Sequence, residues 1–327
     1  MTWVVTGGAG YIGAHVARCL LESGRDVVVV DDLSSGVATF VPEKARFVRG
    51  SITDPAVLDA ALVTDGVPAQ GVVHLAGFKY AGVSVERPLH TYEQNVTGTQ
   101  VLLGRMVEHG VTRLVFSSSA ATFGTPDVDL VTEQTPTRPE SPYGESKLIG
   151  EWLIRDVARA APLAHTSLRY FNVVGSGYED IHDASPHNLF PLALKALTSG
   201  GTPQVRGVDY PTPDGSCVRD YVHVLDIALA HVAAAEALER GRPLEPVYNL
   251  GSGQGLSVLE IMAAVRRVTG IGFEPVITER RPGDPARIVA SGALAARDLD
   301  WANRYDVDDM VRSAWTAWQR ALREGRA

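Results

Sequence analysis

Cysteine is nearly absent. Cys19 and Cys217 are the only two in 327 residues, and no Cys-x-x-Cys spacing occurs. A disulfide framework and a structural zinc site are therefore not expected, and a reducing cytoplasm is the expected compartment. Long apolar runs are lacking as well. No stretch approaches about 18 uncharged apolar residues, so no membrane-spanning helix is expected. The first apolar strand begins almost at Met1, so no secretory signal is expected either. Positive charge is in deficit, with 30 Lys and Arg against 38 Asp and Glu and a net charge of −8. That balance argues against a broad nucleic-acid surface. It leaves room for a nucleotide ligand, which needs only a local pair of arginines. No internal repeat or low-complexity segment is evident. His74 and His223 have no plausible metal-ligand partner nearby in sequence, so both read as structural and no metal is expected.

What is present is an alternation of strand and helix. Residues 2–6 read as a short apolar strand, and 11–23 as a helix with Ile12, Val16, Leu20 and Leu21 on one side. Residues 26–31 carry four consecutive valines, as a strand buried on both faces would. The strand pattern returns at 46–49, 71–75, 113–117 and 166–170. Helices are expected at 55–63, 88–109 and 143–160. This is an α/β pattern, a Rossmann-type parallel sheet doubly wound with helices, over residues 1–170. After Phe171 the loops lengthen and fill with Gly, Pro and Asp, as in 207–215. Amphipathic helices are expected at 188–199, 225–240, 258–269 and 307–323. Residues 171–327 read as a smaller lobe that closes over a ligand, with some segments returning to the sheet.

Gly8-x-Gly10-x-x-Gly13 follows a strand and opens a helix, the context a dinucleotide fingerprint requires. Glycines let the backbone approach a pyrophosphate, whose charge then sits at the helix N-terminus. Asp31 ends the second strand, where a carboxylate binds both hydroxyls of an adenosine ribose and repels a 2′-phosphate. NAD is therefore favoured over NADP.

Tyr143 and Lys147 are four residues apart, on one face of a helix. Tyrosine is a poor base at neutral pH. Bringing its pKa from about 10 to about 7 takes roughly 4 kcal/mol of differential stabilisation. An ammonium beside it and an oxidised nicotinamide are two cations able to supply that in a water-poor cleft. The product is a base that removes a hydroxyl proton while hydride leaves the same carbon. Most such Tyr/Lys pairs are simply exposed helix residues, so the weight comes from the glycine loop. Ser117-Ser118-Ser119 follows an apolar strand at the carboxyl end, where open α/β sheets place ligands. Ser119 is placed to share a hydrogen bond with the substrate hydroxyl and Tyr143. A polar strand end capping a turn is the ordinary alternative.

Taken with these motifs, the chain resembles the extended short-chain dehydrogenase/reductase family and, within it, the UDP-glucose 4-epimerases. The resemblance runs from Thr2 to about Trp318. It is carried by Thr6-Gly-Gly-Ala-Gly-Tyr-Ile-Gly13, His74-Leu-Ala-Gly77, Asn95-Val-Thr-Gly98, Phe116-Ser-Ser-Ser119 and Ser141-Pro-Tyr-Gly-Glu-Ser-Lys147. Leu168-Arg-Tyr-Phe-Asn172, Asp209-Tyr-Pro-Thr-Pro-Asp-Gly215, Val218-Arg-Asp-Tyr-Val-His223 and Arg280-Arg-Pro-Gly-Asp284 complete it. The last three are far more specific to nucleotide-sugar epimerases than the glycine loop is.

The resemblance implies roles position by position. Tyr143 is the base, Lys147 holds the nicotinamide ribose and tunes it, and Ser119 completes the proton path. Gly7, Gly10, Tyr11, Ile12 and Gly13 cradle NAD, with Asp31, Leu33, Ser34, Ser51 and Ile52 around its adenosine half. Leu75, Ala76, Gly77, Lys79, Asn95 and Tyr170 belong to the same cofactor site. Lys79, Ser119, Ala120, Phe171 and Asn172 meet the sugar. Asn188, Leu189, Val205, Arg206, Arg219, Arg281 and Asp284 hold the UDP. A guanidinium fork suits a pyrophosphate. A single arginine is more often a surface solubiliser, and Arg280 is left out. A homodimer is implied too, formed through helices 88–109 and 143–160, although Val101, Leu102 and Trp152 equally suit internal packing.

Two departures from the family pattern stand out. Ser51 replaces a common Asp, which puts the adenine amino contact in question while still offering a hydroxyl acceptor. Ala121 and Phe123 replace hydroxyl-bearing residues, so a more apolar sugar pocket is expected. The reaction follows from what else is missing. A 4,6-dehydratase needs carboxylates just after the serine, and a decarboxylase needs a Glu; Ala120 and Ala121 stand there instead. An epimerase needs neither, which favours UDP-glucose/UDP-galactose 4-epimerisation. UDP-glucuronate is the alternative sugar. A non-catalytic NAD-binding regulator is the alternative from another class, with little reason to keep Ser119, Tyr143 and Lys147 together. Ile288 is expected to crowd an N-acetyl group.

Overall fold

The computed structural model describes residues 1–281 and 284–326. At its centre, seven strands pair in parallel in the order Val247–Leu250, Ala164–Tyr170, Arg113–Ser117, Gly71–His74, Thr2–Thr6, Asp26–Asp31 and Arg46–Arg49. The valine run explains why both faces are covered. Val27 and Val29 pack with Val16, Leu20 and Ile227 on one face. Val28 and Val30 pack with Leu58, Leu102 and Met106 on the other. Each buried valine contributes roughly 1.5–3 kcal/mol of transfer free energy, so a sheet with one bare face would forfeit half of that core.

The second half of the chain is shared between the two parts of the molecule. The strand Val247–Leu250 forms an edge of the central sheet. The helix Val224–Glu239 packs beside Tyr11–Glu22 on the sheet, and its Ile227, Ala228, Ala234 and Ala235 are fully buried. It has little amphipathic character because it is covered on most sides. Around the cleft, Val218–His223 pairs with Gly255–Ser257, Arg287–Ile288 and Asn172–Val174 in a smaller mixed sheet. Buried Asp220 ties that sheet together. Its carboxylate accepts from Ser252 N at 2.9 Å, Ser252 Oγ at 2.6 Å and Ala290 N at 3.0 Å.

The helix expected at 88–109 is not uniform. It runs as Pro88–Tyr92, then a π-helical turn Glu93–Thr97, then Gly98–Glu108. A π turn inserts an extra residue and re-aims a side chain. Here Asn95 points inward, donating to Phe78 O at 3.0 Å and Ser146 Oγ at 2.8 Å and accepting from Phe78 N at 2.6 Å. The next long helix is Pro142–Ala160. Ser141 caps it by accepting from Gly144 N at 3.2 Å, and Pro142 sits at its first position, where a missing N–H costs nothing. No described helix is long and apolar enough to cross a membrane.

Candidate active site

The carboxyl ends of the central strands open into a cleft of about 1220 Å³, which runs from the glycine loop to Arg219, Arg281 and Asp284. Its cofactor end is built by close backbone contact. Gly7 has φ of +73°, and a Cβ there would lie 2.7 Å from Ala76 N. A Cβ on Gly13 would lie 2.1 Å from Gly7 O. No side chain caps the helix at Gly10, and its first turn carries no acid. Its free amides and positive dipole end therefore face the cleft, as a pyrophosphate requires. Asp31 is fixed by two backbone donors, Ala9 N at 3.0 Å and Leu33 N at 2.8 Å. Burial raises its pKa, and these two amides pull it back down. A carboxylate so held keeps lone pairs for two ribose hydroxyls. The residues present thus fit a dinucleotide with an unphosphorylated ribose. Ser51 and Ile52 line the same end, and Ser51 Oγ bonds Thr53 Oγ1 at 2.8 Å.

Farther along the same carboxyl edge of the sheet the expected catalytic residues converge. Tyr143 is half-buried and lines the cleft, with Ser119 the neighbouring side chain that acts on its phenol. Burial raises the Tyr143 pKa, and Ser119 draws it down. Lys147 donates from Nζ to Ser117 O at 2.9 Å, with its ammonium 6.0 Å from the Tyr143 ring centroid. Burial pushes Lys147 down to about 8, and Glu151 opposes that shift. Burial keeps the phenol protonated at neutral pH. The positive charge of an oxidised nicotinamide would favour its ionisation.

Most other expected residues also line the cleft: Gly7, Gly10, Tyr11, Ile12, Gly13, Ser34, Leu75, Ala76, Gly77, Lys79 and Tyr170 near the cofactor end, and Phe171, Asn172, Asn188, Leu189 and Arg206 beyond them. Five others stand beside or behind this lining. Leu33 serves through its backbone, at φ of 63°, by donating to Asp31. Asn95 lies behind the wall in the contacts given above. Ser119 and Ala120 open a 3₁₀ turn, Ala120–Phe123, where Ser119 Oγ accepts from Ala121 N at 3.2 Å. Val205 is buried among Ala193, Tyr210 and Met262. The Arg219 guanidinium lies 3.8 Å from the Asp284 carboxylate. Pro282 and Gly283 of the same motif lie outside the described residues. Arg280 turns away, bonding Asp209 and covering the Tyr210 ring at 4.0 Å.

The expected apolar lining from Ala121 and Phe123 is corrected. After the 3₁₀ turn, Gly124 takes φ of 62° and the chain bends away. Phe123 is buried with Val131 and Ala290 and stacks beneath Phe171 at a centroid distance of 6.5 Å. Its apolar surface supports Phe171 from behind. Ile288 packs on the same cluster.

Several lining residues were not anticipated. Tyr221 and Val258 line the end of the cleft farthest from the glycine loop with Arg219. Strand alternation would have found Tyr221, since residues 219 and 221 share a face. Tyr80 and His187 face each other edge-on at 5.0 Å across the cleft rim, a pairing of distant segments with no local signal. Among the described residues no His, Cys, Asp and Glu cluster suits a metal ion.

The model of the NAD dependent epimerase/dehydratase family matches residues 3–251. A UDP-glucose 4-epimerase of Corynebacterium glutamicum is 43% identical over 96% of this chain and 95% of its own. A crystal structure of a UDP-glucose 4-epimerase superposes with a TM-score of 0.94 at 40% identity, covering 98% of both chains. The enzyme of Stenotrophomonas maltophila, solved with bound NAD and formylated UDP-arabinopyranose, superposes with a TM-score of 0.92 at 38% identity over 99% of both.

Proposed function

The chain belongs to the NAD dependent epimerase/dehydratase family, and we propose that it is a UDP-hexose 4-epimerase acting on UDP-glucose and UDP-galactose. NAD, when bound, supplies a reversible acceptor for the C4 hydrogen and its electron pair. The glycine loop and Asp31 hold that cofactor. Tyr143 takes the C4 hydroxyl proton through Ser119, Lys147 supports the phenolate, and the same proton returns when the alcohol re-forms. Arg219 and Arg281 neutralise the pyrophosphate, with Asp284 orienting Arg219. The keto sugar turns between Phe171 and Asn172 and is reduced from its other face.

One observation carries this reading beyond the family: among the described residues no free acid stands beside the proton path. Ala120 and Ala121 follow Ser119. On the neighbouring helix Glu145 accepts from the Tyr92 hydroxyl, and Glu151 is occupied by Arg169 and Ser118. Nothing there abstracts a second proton or assists loss of carbon dioxide, so re-reduction is the remaining course. Equilibrating the protein with UDP-glucose tests this, and UDP-galactose alone should accumulate. A dehydrated product, or loss of carbon dioxide when UDP-glucuronate is offered instead, would contradict it.

The assembly belongs to the same reading. Leu102 is fully buried in the core, and Val101 packs against it. Trp152 remains 47% exposed, as do Leu89 at 83% and Val107 at 51% on the facing helical run. An apolar face of this kind on two long helices suits a homodimer. Residues 171–327 supply the UDP site of a cytoplasmic enzyme, and Ile288, packed on the same buried cluster as Phe171, disfavours an N-acetyl sugar.

A further inference from the structure

Glu151 lies one turn beyond Lys147 on the helix Pro142–Ala160 and is 8% exposed. A carboxylate at that depth is costly unless it is paired and hydrogen-bonded. Arg169, on the adjacent strand Ala164–Tyr170, donates to both of its oxygens, at 2.8 and 2.5 Å. The Ser118 hydroxyl donates to Glu151 Oε1 at 2.5 Å. Lys147 donates to the carbonyl of Ser117 at 2.9 Å. Two successive turns of the helix thus grip two successive residues of the strand end, and the next residue is Ser119. Arg169 continues the chain of contacts. Its guanidinium lies 4.8 Å from the Phe123 ring centroid, and Phe123 stacks beneath Phe171 of the sugar pocket.

We propose that Glu151 is a positioning residue for the proton-transfer site, clamping Ser117–Ser119 to the helix that carries Tyr143 and Lys147 and placing a negative charge opposite Lys147. This role presupposes the epimerase reading but no particular sugar. A hydrophobic pair would fill the same volume at lower desolvation cost, so a buried ion pair here is better explained by what it positions than by stability.

Of the titratable groups around Lys147, Tyr143 and Glu151 come from its own helix and His74 from the strand Gly71–His74. From Ala164–Tyr170, Arg169 pairs with Glu151 and Tyr170 neighbours Tyr143. Burial holds His74 down to about 3, so it brings no charge, and burial keeps the Tyr170 phenol protonated. Glu151 is the group that keeps the Lys147 pKa from falling further. Glu151→Gln removes that charge and leaves the Arg169 cation unpaired, and both changes favour loss of the Lys147 proton.

The chain has four lysines, Lys44, Lys79, Lys147 and Lys195, so carbon-13 NMR of lysine-labelled holoenzyme can follow Lys147, with Lys147→Met giving the assignment. Glu151→Gln should lower the Lys147 titration midpoint by about one pH unit or more. It should also cut kcat at least ten-fold at pH 7.5 with KM for the UDP-sugar changed less than two-fold, and part of the loss should return at pH 6.5. Ser118→Ala, which breaks one arm of the clamp and keeps the ion pair, should lower kcat several-fold without moving the midpoint. An unchanged midpoint together with unchanged kcat in Glu151→Gln overturns the role. If that variant does not fold, Ser118→Ala decides, and wild-type kcat overturns it. Wild-type protein that converts no UDP-sugar defeats the epimerase reading instead, and the lysine titration still decides the role of Glu151.

Discussion

Lys147 donates its ammonium to the carbonyl of Ser117 at 2.9 Å, one helical turn beyond Tyr143 and two residues before Ser119. That bond locks helix and strand end together at the point where the proposed proton path runs. It also spends one of three ammonium donors, leaving two for a ribose and a phenolate.

Replacing Tyr143 by Phe keeps the ring and removes the ionisable oxygen. The expected loss in kcat is on the order of a hundred-fold or more, the usual contribution of acid–base catalysis. NAD content after purification should be unchanged, because the glycine loop and Asp31 are untouched. Turnover near that of the wild type would remove Tyr143 from the mechanism.

Lys147→Met separates stability from catalysis. Burial lowers the Lys147 pKa from 10.5 to about 8. A folded-state pKa below the unfolded value means that the buried ammonium destabilises the fold at every pH below about 8. The penalty declines as pH rises from there toward 10.5, because the unfolded chain then binds more protons. The shift corresponds to about 3 kcal/mol as an upper bound. Methionine should therefore raise the thermal midpoint of the nucleotide-stripped protein at pH 7 while abolishing most activity. A lower midpoint would contradict the burial argument.

Asp31→Ala removes the acceptor of Ala9 N and Leu33 N along with the proposed ribose contacts. NAD should be lost on dialysis that leaves the wild type loaded, read from nucleotide released by acid precipitation. Undiminished occupancy would count against Asp31 as the ribose ligand.

These features are legible in the sequence because the residues involved lie close together along the chain. The glycines sit within one turn, Tyr143 and Lys147 within one helix, and Asp31 at the end of a valine strand. The alternation of Val27 to Val30 between two cores was legible for the same reason. What was not legible depends on distant partners. Phe123 turns from the pocket because Val131 and Ala290 receive it. Tyr80 meets His187 only through the tertiary fold. The π turn that aims Asn95 inward has no sequence period, and the helix Val224–Glu239 crosses to the central sheet because its alanine-rich surface suits close packing on Tyr11–Glu22.

Light scattering at micromolar concentration should give about twice the 35.0 kDa chain mass. Trp152→Glu, which places a charge on the exposed apolar face, should shift the protein toward the monomer. A wild-type mass near 35 kDa would refute the dimer.

The central claim is reversible C4 epimerisation of a UDP-hexose with no net use of cofactor. The direct measurement incubates purified holoenzyme with UDP-glucose, and in parallel with UDP-galactose and UDP-glucuronate, and resolves the products by chromatography while following nicotinamide absorbance. The account predicts that UDP-glucose and UDP-galactose reach one common ratio from either side, without steady accumulation of free reduced cofactor. Stoichiometric release of reduced cofactor would identify a dehydrogenase, and retained NAD with no turnover of any sugar a binding protein. A kcat/KM for UDP-glucuronate more than about ten-fold above that for UDP-glucose, roughly 1.4 kcal/mol in transition-state binding, would contradict the choice of sugar.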